Sequence, residues 1–160
     1  MEGLVIRKVK YLAKQEKIKI DYQKNGDDMS GTFSEPAAPE FYETLKALVE
    51  PVCVICEMDT EQFAHRIEPF GVSFSYTNNG ETMKASIQSL FHMPASDTDT
   101  VLNTPSRTVS TEYEDGLDLP TCQLLTTMEE ETRKYLKGHR AQIGLFGEEN
   151  VTPQAVQIEG

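Results

Sequence analysis

The stretch from Gly71 to Phe91 constrains the fold more than any other part of this chain. Thr77-Asn78-Asn79-Gly80-Glu81 carries an Asn-Gly pair. That pair is the preferred centre of a type I′ hairpin turn, because both central residues need positive φ and Asn and Gly accept it. Centring the turn on Asn79-Gly80 sets Tyr76 opposite Met83, Phe74 opposite Ala85 and Val72 opposite Ile87. All six are apolar and share one face. Side chains alternate with a period of two, so a slip of one residue destroys the match, and the pattern itself selects the register.

A hairpin with one apolar face needs a partner layer, and the rest of the chain supplies candidates. Residues 4–12 and 17–23 read as two further strands. Ile18, Ile20 and Tyr22 alternate with Lys17, Lys19 and Asp21, which predicts one buried and one wet face. This pair is expected to turn near Lys14-Gln15-Glu16. Ser34-Glu35-Pro36 and Pro39 suit a helix start, since proline in a first turn lacks only an N–H that has no partner there. Phe41, Leu45, Leu48 and Val49 continue as a helical stripe, and Pro51 ends or kinks it. Val52 to Met58 is short and apolar, and reads as a buried strand or as another helical turn. A long helix is predicted from about Pro120 to Lys137. Asp118 is its cap, Leu124, Leu125, Met128, Tyr135 and Leu136 its apolar stripe, and Gly138 its stop.

These elements predict an α+β fold, a mainly antiparallel sheet built from two hairpins and packed by two or three helices. With 160 residues the chain fits one domain, expected over 1–146. The Ser-, Thr-, Asp- and Pro-rich segment Pro94 to Gly116 reads as a long loop. Residues 147–160 carry few large apolar side chains and read as a mobile tail.

Charge is unevenly spread. Residues 1–24 hold seven bases and three acids, and the other 136 residues hold eight bases and 23 acids. The net charge of -11 argues against a nucleic-acid binder that uses its whole surface. A basic hairpin can still grip phosphates locally, through Lys8, Lys10, Lys17 and Lys19. Tyr11 and Tyr22 are placed either to stack bases or to join the core. No run approaches the roughly 18 apolar residues of a membrane helix, and Met1 to Arg7 leads to the expectation of no signal peptide. Three cysteines suit a reducing cytosol rather than a disulfide framework.

Catalytic signals are sparse. Cys53-Val54-Ile55-Cys56 is a CxxC in the most apolar run of the chain. A redox pair wants its first thiol at a helix N-terminus, and a zinc site would need two more ligands from Cys122, His65, His92 or His139, none at paired spacing. The expectation is buried core thiols, with no metal and no cofactor. No nucleophile, phosphate-loop or metalloprotease motif is present. No catalytic residue is assigned, and an enzymatic role is not expected.

Past the predicted helix stop lies Gln142-Ile143-Gly144-Leu145-Phe146. Ile143, Leu145 and Phe146 would be costly to leave in water without a partner or a core to cover them. The pentapeptide resembles the sliding-clamp-binding motif of bacterial polymerases and repair factors, in which Gln opens the peptide and a Leu-Phe pair closes it. Gln142, Leu145 and Phe146 hold the strongest positions, Ile143 stands for the usual Leu, and Gly144 departs from the common small polar residue. The second half also resembles uncharacterised small proteins of bacteriophages and prophages found among replication and recombination genes. The resemblance rests on Phe70-Gly71-Val72-Ser73-Phe74-Ser75-Tyr76, Leu102-Asn103-Thr104-Pro105 and the run from Glu131 to Phe146. Together these imply a non-enzymatic accessory protein in the cytoplasm of a bacterial host, docked on the host DNA sliding clamp. Single-stranded DNA binding by the basic hairpin is the first alternative. An acidic decoy of a host DNA-binding protein is the second.

Overall fold

Alternating side chains in β1 (Leu4–Leu12) and β2 (Lys17–Lys24), joined by an edge strand β3 (Asp27–Phe33), build a three-stranded antiparallel meander from the first 33 residues. The computed structural model describes residues 3–77, 80–138 and 140 of the chain. The second meander is β4 (Ile67–Thr77), β5 (Thr82–Met93) and β6 (Thr98–Asn103). The sheet order is β3-β2-β1-β4-β5-β6, and β7 (Arg107–Thr108) pairs with β5 beside β6. The architecture is α+β. The register of β4 on β5 sets Tyr76 against Met83, Phe74 against Ala85 and Val72 against Ile87, as the apolar match predicts.

Two elements differ from expectation. The strand β3 follows a second Asn-Gly turn, Asn25-Gly26, with φ of 51° and 88°. Sequence reasoning passes over it because Asp27–Phe33 is an edge strand with mostly exposed side chains, and it lacks the alternation of a half-buried one. The proposed long loop at Pro94 to Gly116 is instead largely built. The second edge strand, β6, pairs along β5 from Gln88 to Met93, after a turn in which Asp97 has φ of 55°. The remainder is tied by Arg107, whose guanidinium donates to the carbonyls of Asp115 at 2.9 Å and Gly116 at 2.8 Å. A Lys84–Asp115 ion pair at 3.3 Å adds to the tie.

All helices cover one face of the sheet. They are α1 (Pro39–Ala47), α2 (Val49–Ile55), the single turn α3 (Thr60–Phe63) and α4 (Leu119–Leu136). The missing N–H of Pro51 removes the bond that would reach the Ala47 carbonyl, and the chain breaks between α1 and α2 at Leu48. The run Val52 to Met58 therefore resolves as helix rather than strand through Ile55. In α4 the Asp118 carboxylate accepts from the Thr121 N–H at 3.0 Å, which also holds the Asp118 carboxyl below its ordinary pKa. Gly138, with φ of 99°, follows the last turn. Ile6, Ile20, Phe41, Leu48, Val72, Ile87, Leu125, Met128 and Tyr135 fill the space between the layers, each almost fully buried. Each large apolar side chain contributes about 1.5–3 kcal/mol by leaving water.

The two meanders meet along a short seam. The pairing of β1 with β4 covers only Lys8–Ser73, Val9–Val72 and Lys10–Gly71. Beyond it the strands part, and side chains take over. The Tyr76 hydroxyl donates to the Ile6 carbonyl at 2.9 Å. Arg133 of α4 donates to the Leu4 carbonyl at 2.8 Å while gripping the Glu129 carboxylate at 2.6 Å. A Cβ on Gly71 would lie 2.9 Å from the Val9 carbonyl oxygen and 3.1 Å from the Gln88 amide oxygen. Replacing Gly71 by Ala is expected to cost about 1–3 kcal/mol, the usual range for overpacking, read as a lower urea midpoint with unchanged slope.

Burial pushes the Tyr76 and Tyr135 phenols up to about 12. The fold favours the protonated form, so this stability is present below the unfolded value of about 10 and disappears as pH rises toward about 12. Urea midpoints measured between pH 9 and about 12 are expected to fall, and Tyr76→Phe with Tyr135→Phe should flatten that fall.

Candidate functional site

Among the described residues, helices occupy one side of the sheet and the other face is open. A β-bulge at Arg7 decides what that face carries. Leu4 and Ile6 point to the core before the bulge, and Val9 and Tyr11 after it, because the extra residue shifts the alternation by one. Without it Lys8 and Lys10 would face the helices. Two rows of paired residues cross the open face. Ser30, Asp21, Lys8, Ser73 and Ser86 form one, and Thr32, Lys19, Lys10, Gly71, Gln88 and Asn103 the other.

Three of the four lysines singled out from sequence come together there. Lys8, Lys10 and Lys19 line a small cleft of about 40 Å³ with Asp21. Partial burial lowers the Lys10 amine below its ordinary pKa, and the positive charges of Lys8 and Lys19 lower it further, while Asp21 opposes them. The Asp21 carboxylate also accepts from the Ser30 hydroxyl at 2.7 Å. Lys17 shares this face one row beyond Lys19, opposite Leu12, and does not line the cleft. The floor beside the cleft is flat. Gly71 has no side chain, and the Gln88 amide lies against Ser86, donating to its hydroxyl at 3.3 Å.

The tyrosines lean toward the core. Tyr11 and Tyr22 are half-buried against the core, and the Tyr11 ring meets Tyr42 edge-on at 5.1 Å. An apolar cavity that sequence reasoning missed opens instead where β1 and β4 part. It holds about 300 Å³ and is lined by Tyr11, Leu12, Phe70 and Leu90, with Lys14, Gln15 and Glu68 also on its wall. Phe70 sits at the bulge of β4 between Pro69 and Gly71. Nothing local in the sequence announces this cavity, since its walls come from three separate strands and one turn.

The remaining candidates are dispersed. Cys53 and Cys122 are buried and Cys56 half-buried. Burial pushes all three thiols up, and Cys53 and Cys56 lie in the last turn and at the C-terminal cap of α2, the end whose dipole disfavours a thiolate. His92 lies beside Asp99 at 2.9 Å and Asp97 at 3.6 Å, while His65 is in the turn after α3 and His139 lies outside the described residues. Among the described residues no group of three or more His, Cys, Asp or Glu side chains is placed to hold a metal ion. No described helix is long and apolar enough to cross a membrane. Gln142, Ile143, Leu145 and Phe146, and the tail 147–160, also lie outside the described residues.

Compared with protein-family models, curated proteins and solved structures, the chain matches none.

The lysine cluster makes one direct prediction. Asp21→Asn removes the carboxylate attraction that raises the Lys10 pKa, so the Lys10 amine should titrate at still lower pH. Competitive acylation at about pH 9 should then label Lys10 faster in the variant than in the parent, with Lys24 unchanged as the internal reference.

Proposed function

We propose that this chain is a non-enzymatic accessory protein of phage-type DNA replication or recombination, which docks on the host DNA sliding clamp through Gln142, Ile143, Leu145 and Phe146. One observation carries the reading. An apolar pentapeptide of clamp-binding type follows a domain whose buried core, among the described residues, is assembled from Leu4 through Tyr135.

The geometry at the domain's end supports the same reading. Tyr135 is anchored by its hydroxyl to the Glu35 carbonyl at 2.6 Å. Arg140 donates to the Tyr135 carbonyl at 3.1 Å, pairs with the Glu35 carboxylate, and stacks over the Tyr135 ring at 4.2 Å. The last described residue is thus fixed to the domain two positions before Gln142. In such docking, Leu145 and Phe146 enter a preformed apolar pocket and the Gln142 amide hydrogen-bonds at its rim.

A short peptide with two anchors gives an affinity in the micromolar range, about -8 kcal/mol. Titration calorimetry of the full chain with purified bacterial clamp is expected to show that affinity. Leu145→Ala with Phe146→Ala should weaken it at least tenfold while leaving the unfolding midpoint in place. Equal binding by the double variant, or no binding by the parent, would overturn the reading.

A further inference from the structure

Two features of the open face lie side by side, and together they describe one kind of ligand. The first is the cationic cleft of Lys8, Lys10 and Lys19. The second is the apolar cavity of Leu12, Phe70 and Leu90, about 300 Å³, at the lower end of the size of small-ligand sites. Both draw on β1. Lys10 and Leu12 are two residues apart on β1, so their side chains leave the same face about 7 Å apart. On β4, Phe70 directly precedes Gly71, the residue paired with Lys10. An anion held by the lysines is therefore one short step from an aromatic ring in a greasy recess.

We propose that this face binds single-stranded nucleic acid, with consecutive phosphates on Lys8, Lys10 and Lys19 and one unstacked base in the cavity against Phe70. The proposal is independent of the clamp-docking reading, because every residue it uses belongs to the described domain.

Several observations favour a single strand over a duplex. A duplex presents its bases stacked and paired, so no base is free to enter a recess. The face is a sheet of short side chains, Ser73, Ser86 and Gly71, and among the described residues no helix projects from it to enter a groove. The lysines contact a backbone that the recess can follow only if the strand bends freely. Lys14 and Gln15 at the cavity wall supply donors for a base edge, and Glu68 an acceptor. Burial and the nearby charges of Lys8 and Lys19 lower the Lys10 amine, and a bound phosphate would oppose that lowering.

Fluorescence anisotropy with a labelled oligothymidylate of about 16 nucleotides tests this. Three neutralised phosphates on a single strand give a log–log salt slope of about -2, or roughly a twentyfold loss of affinity from 50 to 200 mM salt. The triple variant Lys8→Gln, Lys10→Gln, Lys19→Gln keeps the side-chain stems and should lose both the affinity and the slope. Phe70→Leu keeps the apolar volume without the ring, and should weaken binding about fivefold or more with the slope unchanged. Both variants should keep the parent unfolding midpoint. Lys46→Gln, on α1, should bind like the parent. An oligouridylate arm distinguishes RNA from DNA as the preferred strand, and binding of either supports the site. Absent or salt-independent binding, a triple variant equal to the parent, a Phe70→Leu variant equal to the parent, or duplex bound as tightly as single strand would each overturn the proposal.

Discussion

The domain depends on one short contact, the three residue pairs that join β1 to β4. Each meander is internally tied by long ladders, whereas the two are joined by backbone bonds only around Val9 and Val72. Those two valines sit opposite each other and are almost fully buried. Gly71 allows the close approach, since any Cβ would press on the Val9 carbonyl. Where the strands separate, Tyr76 and Arg133 bond the Ile6 and Leu4 carbonyls that no neighbouring strand reaches. Orphaned buried carbonyls cost free energy, so these two side chains substitute for a missing stretch of ladder. The same divergence on the other side of the seam opens the cavity of Leu12, Phe70 and Leu90. The seam is thus both the short ladder between the meanders and the origin of the recess beside it.

A net charge of -11 and a cluster of lysines are compatible because the fold separates them. Glu40, Glu43, Glu50 and Glu130 are exposed on the helices of the opposite layer. At physiological ionic strength the screening length is about 8 Å, shorter than the thickness of a sheet and its helix layer. A phosphate at the cleft therefore responds to Lys8, Lys10 and Lys19 and to Asp21 beside them, more than to the distant acids. Electrostatics read from total charge describes the colloid, and electrostatics read from one face describes the site.

Much of the fold was legible because its signals are local. The Asn-Gly turn and six matched apolar residues defined the β4–β5 register, and the capping Asp118, Pro120 and Gly138 bounded α4. The failures fall on edge strands. Neither β3 nor β6 has a buried face to impose alternation, so their residues resemble loop. They are strands because β2 and β5 present unpaired backbone that needs partners, a demand no local pattern records. The site was only half legible. Lys8, Lys10 and Lys19 stood out as bases on strands, but the sequence offered Tyr11 and Tyr22 as their aromatic companions. The bulge at Arg7 and the alternation of β2 turn both tyrosines toward the core, yet Tyr11 also borders the cavity, where Phe70 joins it.

By itself the sequence determined the strands with one apolar face, the register of the central hairpin, the limits of the long helix and the chemistry of the peptide Gln142 to Phe146. Each of these is a relation among neighbours in the chain, where turn geometry and the period of the side chains act directly. Tertiary structure alone decided which meander edges meet, that the described helices gather on one sheet face, and that three lysines and a distant phenylalanine share the other. Those are consequences of how β1 and β4 approach over residues more than sixty positions apart. Nothing short of the packed core determines that distance.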